Sequence, residues 1–379
     1  MDRFLRYARQ KQKEIIALTR EFVECESPSD DPQAVAKFIS LMTERTQDMA
    51  KVSVSRGTTY GPNARFTFTL PGEKKQGQIL ALGHSDTVWP MGTLAKMPFR
   101  ETRGRLWGPG VLDMKAGMAF FIFAMRILRD FDVQIARKVV LQVNSDEEVG
   151  SDSSRSWTEE AAKQSVAVLV LEPGTGITGK LKTARKGVGG YTVTVRGVAS
   201  HAGVDFSNGA NAIVEMARQL EKIAGFTKLD RGVTVSPGVV RGGTRSNVVA
   251  AECVAEIDIR APRDRDRLYL ERAFRSLKPF NKRCTIEIKG GLNRPAMERS
   301  LGVRRLFSMA KRLAAELGVD LEESATGGGS DGNFTAALGV PTLDGLGAVG
   351  EGAHAVNESI LINRIADRTA LLAKLVAAI

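Results

Sequence analysis

Five short segments hold the residues best able to do chemistry. The chain has only three histidines, His84, His201 and His354, each beside glycine or another small residue. Gly83-His84-Ser85-Asp86-Thr87 closes the apolar run GQILALG. Neutral imidazole is a common zinc ligand, and Asp86, two residues on, suits the other ring N–H, which fixes the tautomer. Asp113, in GPGVLDMKAG, opens a long apolar segment; it reads as a helix cap or as a carboxylate whose two oxygens bridge two metals. Asp146, Glu147 and Glu148 follow the run KVVLQV. Three adjacent acids need solvent or a cation; with a cation, Glu148 binds it and Glu147 serves as general base. Glu172 closes the run VAVLVL, where a carboxylate is costly unless a metal or salt bridge pairs it. His354, in Gly350-Glu351-Gly352-Ala353-His354, supplies a second imidazole.

The plainer reading of each residue is a structural histidine, a cap, a solvated turn or a surface ion pair. What weighs against those readings is position. Four of the five segments follow short apolar runs and the fifth starts a helix, and α/β sheets place their sites at strand ends. No contiguous zinc-finger or H-E-x-x-H pattern occurs. The glycine-rich GTGITG has no helix behind it for a dinucleotide, and TGGGSDG lacks the Lys-Ser/Thr pair of a phosphate loop.

The elements that position these residues follow from periodicity. The N-terminus reads as an amphipathic helix with Ile15, Ile16, Leu18, Phe22 and Val23 inward, and a second helix runs to about Gln47. Buried strands are expected at Gly77–Gly83, Lys138–Val143 and Val166–Leu171, and a buried helix at Lys115–Arg129. Beyond Lys186 the pattern changes to period-two strands (Gly190–Gly197, Val233–Val240, Ala250–Arg260, Cys284–Ile288) with helices at Ala210–Ile223 and Arg265–Leu277. After Pro295 the α/β style returns, with a helix at Gly302–Leu317, a strand at Thr342–Leu346 and a last helix from Ser359. The fold class is α/β: a discontinuous domain with a mostly parallel sheet (residues 1–185 and 293–379) and an inserted α+β domain (186–292).

Composition sets the outer limits. With 379 residues the chain is long enough for two domains. Its three cysteines, Cys25, Cys253 and Cys284, are far apart, which argues against a disulfide framework and for a reducing, cytoplasmic setting. No apolar run is long enough for a membrane span. The net charge of +11 is spread along the chain without interleaved aromatics. It reads as a generally basic surface and not as a nucleic-acid interface; a further reading is that some of the charge attracts anionic small substrates.

Taken in order, GHSDTVWP, GPGVLDMKAG, NSDEEVGS, LEPG, ASHAG, SNVVAAECVAEIDIR, TGGGSDGNF and GEGAHAVNE resemble the co-catalytic zinc aminoacylase and carboxypeptidase family. That family includes acetylornithine deacetylase, succinyl-diaminopimelate desuccinylase and glutamate carboxypeptidases of the carboxypeptidase G type. The resemblance covers nearly the whole chain, and HSDTVWPMGTLAKMPFR with DEEVGS is most like the glutamate carboxypeptidase group. It implies a zinc-peptidase-like catalytic domain, a dimerisation or lid domain, and two divalent ions, Zn2+ first and Co2+ or Mn2+ as substitutes. Asp113 would bridge the ions, with His84 and Glu172 on one and Glu148 and His354 on the other. Glu147 would be the base, Asp86 would orient His84, and the Asp113–Met114 bond would be cis. His201 would steady the oxyanion from the partner subunit of a homodimer. Asn247, Arg260, Arg185, Gly328 and Gly329 would contact substrate. For Arg260, a guanidinium suited to a bidentate carboxylate, the plainer reading is a surface salt bridge. Met114 and Ala250 depart from the family pattern without touching a ligand. The implied reaction cuts an amide beside a free carboxylate in a small peptide or N-acyl amino acid. Deacylation and a catalytically silent binding protein are the other readings.

Overall fold

The computed structural model describes residues 1–379 apart from Thr58 and Lys74. The chain divides into two compact units. One comprises residues 1–184, 299–325 and 330–379; the other comprises 185–298 and 326–329.

The first unit is built on a six-stranded sheet in the order Ala50–Val54, Ala64–Phe68, Lys138–Asn144, Gln78–His84, Ser165–Val170, Thr342–Leu343. The last four strands run parallel and the first two are antiparallel at one edge. All seven residues of Gln78–His84 are buried, which is why a parallel strand covered on both faces reads as an unbroken apolar run. Register then fixes the site. His84 pairs with Asn144, and Leu82 with Val170, so three strands end at the same edge. The loops carrying His84, Glu148 and Glu172 leave side by side.

Helix Ala116–Asp130 is buried without a break from Ala116 to Met125 and packs against helices Gln12–Glu24 and Ile365–Ala378. A helical stretch apolar on every side, as Ala116–Met125 is, belongs in the interior. Its approach to the sheet depends on Gly117: a Cβ there would lie 2.3 Å from the carbonyl oxygen of Leu171. Only glycine lets this helix start, with Asp113 just ahead of it, come so close to the strand end that carries Glu172.

Two sequence expectations need adjustment. The N-terminal helix is two helices, Arg3–Gln10 and Gln12–Glu24, broken at Lys11; Ile16 is only partly buried, while Ile15, Leu18, Phe22 and Val23 are inward. The last helix begins at Ile365, not Ser359. Ser359–Leu361 is a strand paired antiparallel with Arg105–Trp107, and a three-residue strand is too short to show a period.

The second unit has a four-stranded antiparallel sheet, Thr234–Gly242, Glu252–Ala261, Gly187–Arg196, Thr285–Arg294. Helices Ala212–Ala224 and Asp264–Arg275 accompany it, and Tyr191 stacks on Phe274 at 3.8 Å in its core. Asn211 caps the first of these helices through the N–H groups of Ile213 and Val214. Segment 326–329 joins this unit because Arg185 donates to the carbonyls of Gly328 and Gly329 and Lys186 N–H donates to Thr326. All three cysteines are buried free thiols. No described helix is long and apolar enough to cross a membrane.

Candidate metal centre

In the first unit, two groups of ligand-type residues form around one shared side chain. His84, Asp113 and Glu172 make one group and Asp113, Glu148 and His354 the other, with the donor atoms of each within 4.8 Å of one another. Asp113 divides its oxygens between them: Oδ1 lies 3.2 Å from His84 Nε2, and Oδ2 lies 3.3 Å from His354 Nε2. Glu172 Oε1 is 3.7 Å from His84 Nε2, and Glu148 Oε2 is 3.2 Å from His354 Nε2. The Asp113–Met114 peptide is cis.

The first ring is held in a defined tautomer. His84 Nδ1 is 2.8 Å from the main-chain oxygen of Asp86. A carbonyl only accepts, so Nδ1 carries the proton and the Nε2 lone pair faces the carboxylates of Asp113 and Glu172. A lone pair meeting two carboxylate oxygens calls for a cation between them. Burial opposes charge on His84, yet its hydrogen bonds to Asp113 and Asp86 and the nearby Glu147 carboxylate hold its pKa well above the ordinary value. Asp113 and Glu148 push His354 up to about 10. Burial acts to raise the Asp113 pKa, but His354 and His84 hold it far below the carboxylate range; burial raises Glu148. Both rings are drawn toward imidazolium, the mark of carboxylates that demand positive charge. Divalent cations meet that demand with the rings neutral. Glu148 Oε1 is buried and has no hydrogen-bond partner, an orphan that a metal satisfies. The donor set, two imidazoles and three carboxylates, suits a pair of borderline cations such as zinc.

Asp86 meets His84 twice: its carboxylate is 3.5 Å from Nδ1, and its main-chain oxygen is the closer partner at 2.8 Å. The fully buried carboxylate also accepts the N–H groups of Glu147 at 3.2 Å and Glu148 at 3.1 Å, and the Ser29 hydroxyl at 2.8 Å. It ties the His84 loop to the acidic turn. Ser29 is a supporting residue that sequence reasoning missed; its Ser-Pro-Ser setting signals only a turn. Glu358, buried beneath Asp113, was also missed, hidden as one acid in AVNES. His354 has a φ of 61°, an uncommon conformation for a residue with a side chain.

The second unit holds the remaining sequence candidates. His201 Nδ1 accepts the N–H groups of Gly203 and Val204 at 3.2 and 3.1 Å, so in the neutral ring Nε2 is the donor. Asn247 is its neighbour, its carbonyl accepting Ala202 N–H at 3.0 Å. Arg185 is buried and grips Gly328 and Gly329. Arg260 is engaged by both oxygens of Asp258 at 2.9 and 2.8 Å, two residues away on the same strand. Its plainer reading, a salt bridge, is therefore present.

Residues 80–378 match the model of peptidase family M20/M25/M40. Carboxypeptidase G2 of Pseudomonas sp. (strain RS-16) is 28% identical over 379 residues, covering 97% of this chain and 90% of that protein. Succinyl-diaminopimelate desuccinylase of Cereibacter sphaeroides is also 28% identical, covering 92% of this chain and 94% of that protein. Among solved structures, aminopeptidase PepT of Bacillus cereus superposes with a TM-score of 0.76 at 22% identity, covering 97% of this chain and 98% of that one. The Bacillus subtilis YXEP protein, described as a dinuclear metal binding peptidase, superposes at 0.67 with 14% identity and 98% coverage of both chains.

Proposed function

Because the chain belongs to peptidase family M20/M25/M40 and is a metal-dependent hydrolase, we propose that it cleaves an amide bond beside a free carboxylate, as a glutamate-carboxypeptidase-like enzyme using two zinc ions. The observation that carries this reading is Asp113, whose two oxygens face separate histidine–carboxylate groups. His84 and Glu172 would hold one ion and Glu148 and His354 the other. Bound there, two divalent ions acidify water and polarise a carbonyl.

The chain's own residues do the rest. Glu147 takes the proton of the attacking water and returns it to the leaving nitrogen. Asp86 holds the Glu147–Glu148 turn by its two main-chain hydrogen bonds, so the base has a fixed origin. In the homodimer, His201 of the partner subunit offers its Nε2–H to the oxyanion, and Asn247 and Arg260 receive the substrate carboxylate, Arg260 by exchanging Asp258 for it. Arg185 shapes the Gly328–Gly329 segment for substrate contact. A homodimer through residues 186–292 and a cytoplasmic setting belong to the same reading.

Deacylation of an N-acyl amino acid is the second reading, favoured by the equal identity to the desuccinylase. A panel of acyl-glutamates, dipeptides, and N-acetyl and N-succinyl amino acids, run on zinc-, cobalt- and manganese-loaded enzyme, separates the two. Preferential release of C-terminal glutamate supports the carboxypeptidase. Turnover confined to the acetyl or succinyl compounds replaces it with the deacylase.

A further inference from the structure

We propose that Glu358 is the positioning residue for Asp113, one carboxylate that sets the orientation of the group shared by both halves of the metal centre. The inference rests on the two-metal reading above. Glu358 is fully buried. Its Oε1 accepts the N–H groups of Leu112 at 2.8 Å and Asp113 at 3.1 Å; its Oε2 accepts Gly110 N–H at 2.9 Å and the Trp89 indole N–H at 2.8 Å.

Segment 110–113 needs such a partner. Asp113 has φ −117° and ψ 93° and Gly110 has φ 72°, so this stretch is not regular helix and its N–H groups do not all find helical acceptors. Left without an acceptor, each buried N–H is destabilising because its desolvation goes uncompensated. An ionised carboxylate only accepts, and four converging donors occupy it from both sides. With both oxygens so engaged, Glu358 acts on the centre through Asp113 and not as a ligand.

Glu358 also reaches the other ligand-bearing loops. It lies four residues after His354, its N–H donating to Ala355 in the intervening turn. Trp89 lies three residues after Asp86, in the loop that follows His84. One carboxylate thus pins the segments that carry His84, Asp113 and His354. Because Asp113 serves both groups, disturbing Glu358 must weaken both ions together.

The test is cobalt titration of metal-free wild type, Glu358→Gln, Glu358→Asp and Trp89→Phe, read by visible absorbance and calorimetry, with kcat and KM on the zinc forms. Glu358→Gln turns an amide NH2 toward N–H donors. Its affinity should fall about 10- to 100-fold at both sites, with an altered cobalt spectrum and a lower kcat at nearly unchanged KM. Glu358→Asp, still an acceptor, should recover part of the loss. Trp89→Phe removes one of four donors and should weaken cobalt binding several-fold. If Glu358→Gln does not fold, the other two carry the test. Two cobalt ions bound with wild-type affinity and spectrum in the folded variants overturn the inference while leaving the two-metal reading standing. Fewer than two ions in the wild type overturns both.

Discussion

The carboxylate of Asp86 accepts the main-chain N–H of Glu148 at 3.1 Å, joining the end of one buried strand to the turn that follows its neighbour. The contact works because His84 and Asn144 are in register, so the loops beyond them leave the sheet level with each other. Glu147 and Glu148, the proposed base and one proposed metal ligand, are therefore oriented from a strand to which they do not belong.

Asp86→Asn tests that arrangement. An amide at this position turns an NH2 toward the N–H groups of Glu147 and Glu148 or the Ser29 hydroxyl. We predict a kcat loss of about 10- to 100-fold and a thermal midpoint several degrees lower. Wild-type turnover with a lowered midpoint would reduce Asp86 to a structural role.

Gly117→Ala tests the close approach of helix and strand. The added methyl meets a main-chain oxygen, which cannot swing aside as a side chain would. The expected cost is about 1–3 kcal/mol of stability, together with loss of metal from the His84–Asp113–Glu172 group. A melting curve and a metal count on the purified variant measure both. Unchanged values would show that the helix start tolerates displacement.

Glu147→Ala addresses the base. The proposed ligands Glu148 and His354 remain, so metal content should stay at the wild-type value while kcat falls on the order of a hundredfold or more. Near-normal turnover removes Glu147 from the mechanism.

Glu215 gives a pH-dependent prediction in the second unit. Its buried carboxylate accepts the N–H groups of Phe280 and Asn281 at 2.9 and 2.8 Å and the Gln219 amide at 2.8 Å. Burial acts to raise its pKa, but these hydrogen bonds outweigh it and the folded value is lowered. A depressed pKa stabilises above the unfolded value of about 4.3, and the gain is lost as pH falls through the folded pKa. Urea denaturation should place Glu215→Gln about 2 kcal/mol below wild type at pH 7, with the gap closing toward pH 3. A gap that persists unchanged at pH 3 contradicts the assignment.

The residues at the strand ends were legible because two-sided burial writes each parallel strand as an apolar run, so a polar residue closing that run stands out. His84 and Glu172 are visible for that reason, and Glu148 as one of three adjacent acids in the turn after such a run. Glu358 was not, because its four donors come from Trp89 and from residues 110–113, far away in the chain. Ser29 was hidden likewise, its partner Asp86 being 57 positions on. The strand Ser359–Leu361 merged with the following helix since pairing with Arg105–Trp107, not local pattern, makes it a strand. Arg260 shows the opposite limit: residue type suggests a carboxylate receptor, and the alternating strand places Asp258 on the same face to occupy it.

The most direct test of the bridging role of Asp113 is anomalous X-ray diffraction from zinc-loaded crystals. Two peaks about 3.5–4 Å apart are predicted, one against His84 and Glu172, the other against Glu148 and His354, with Asp113 between them. A single peak, or zinc bound away from Asp113, would contradict the account.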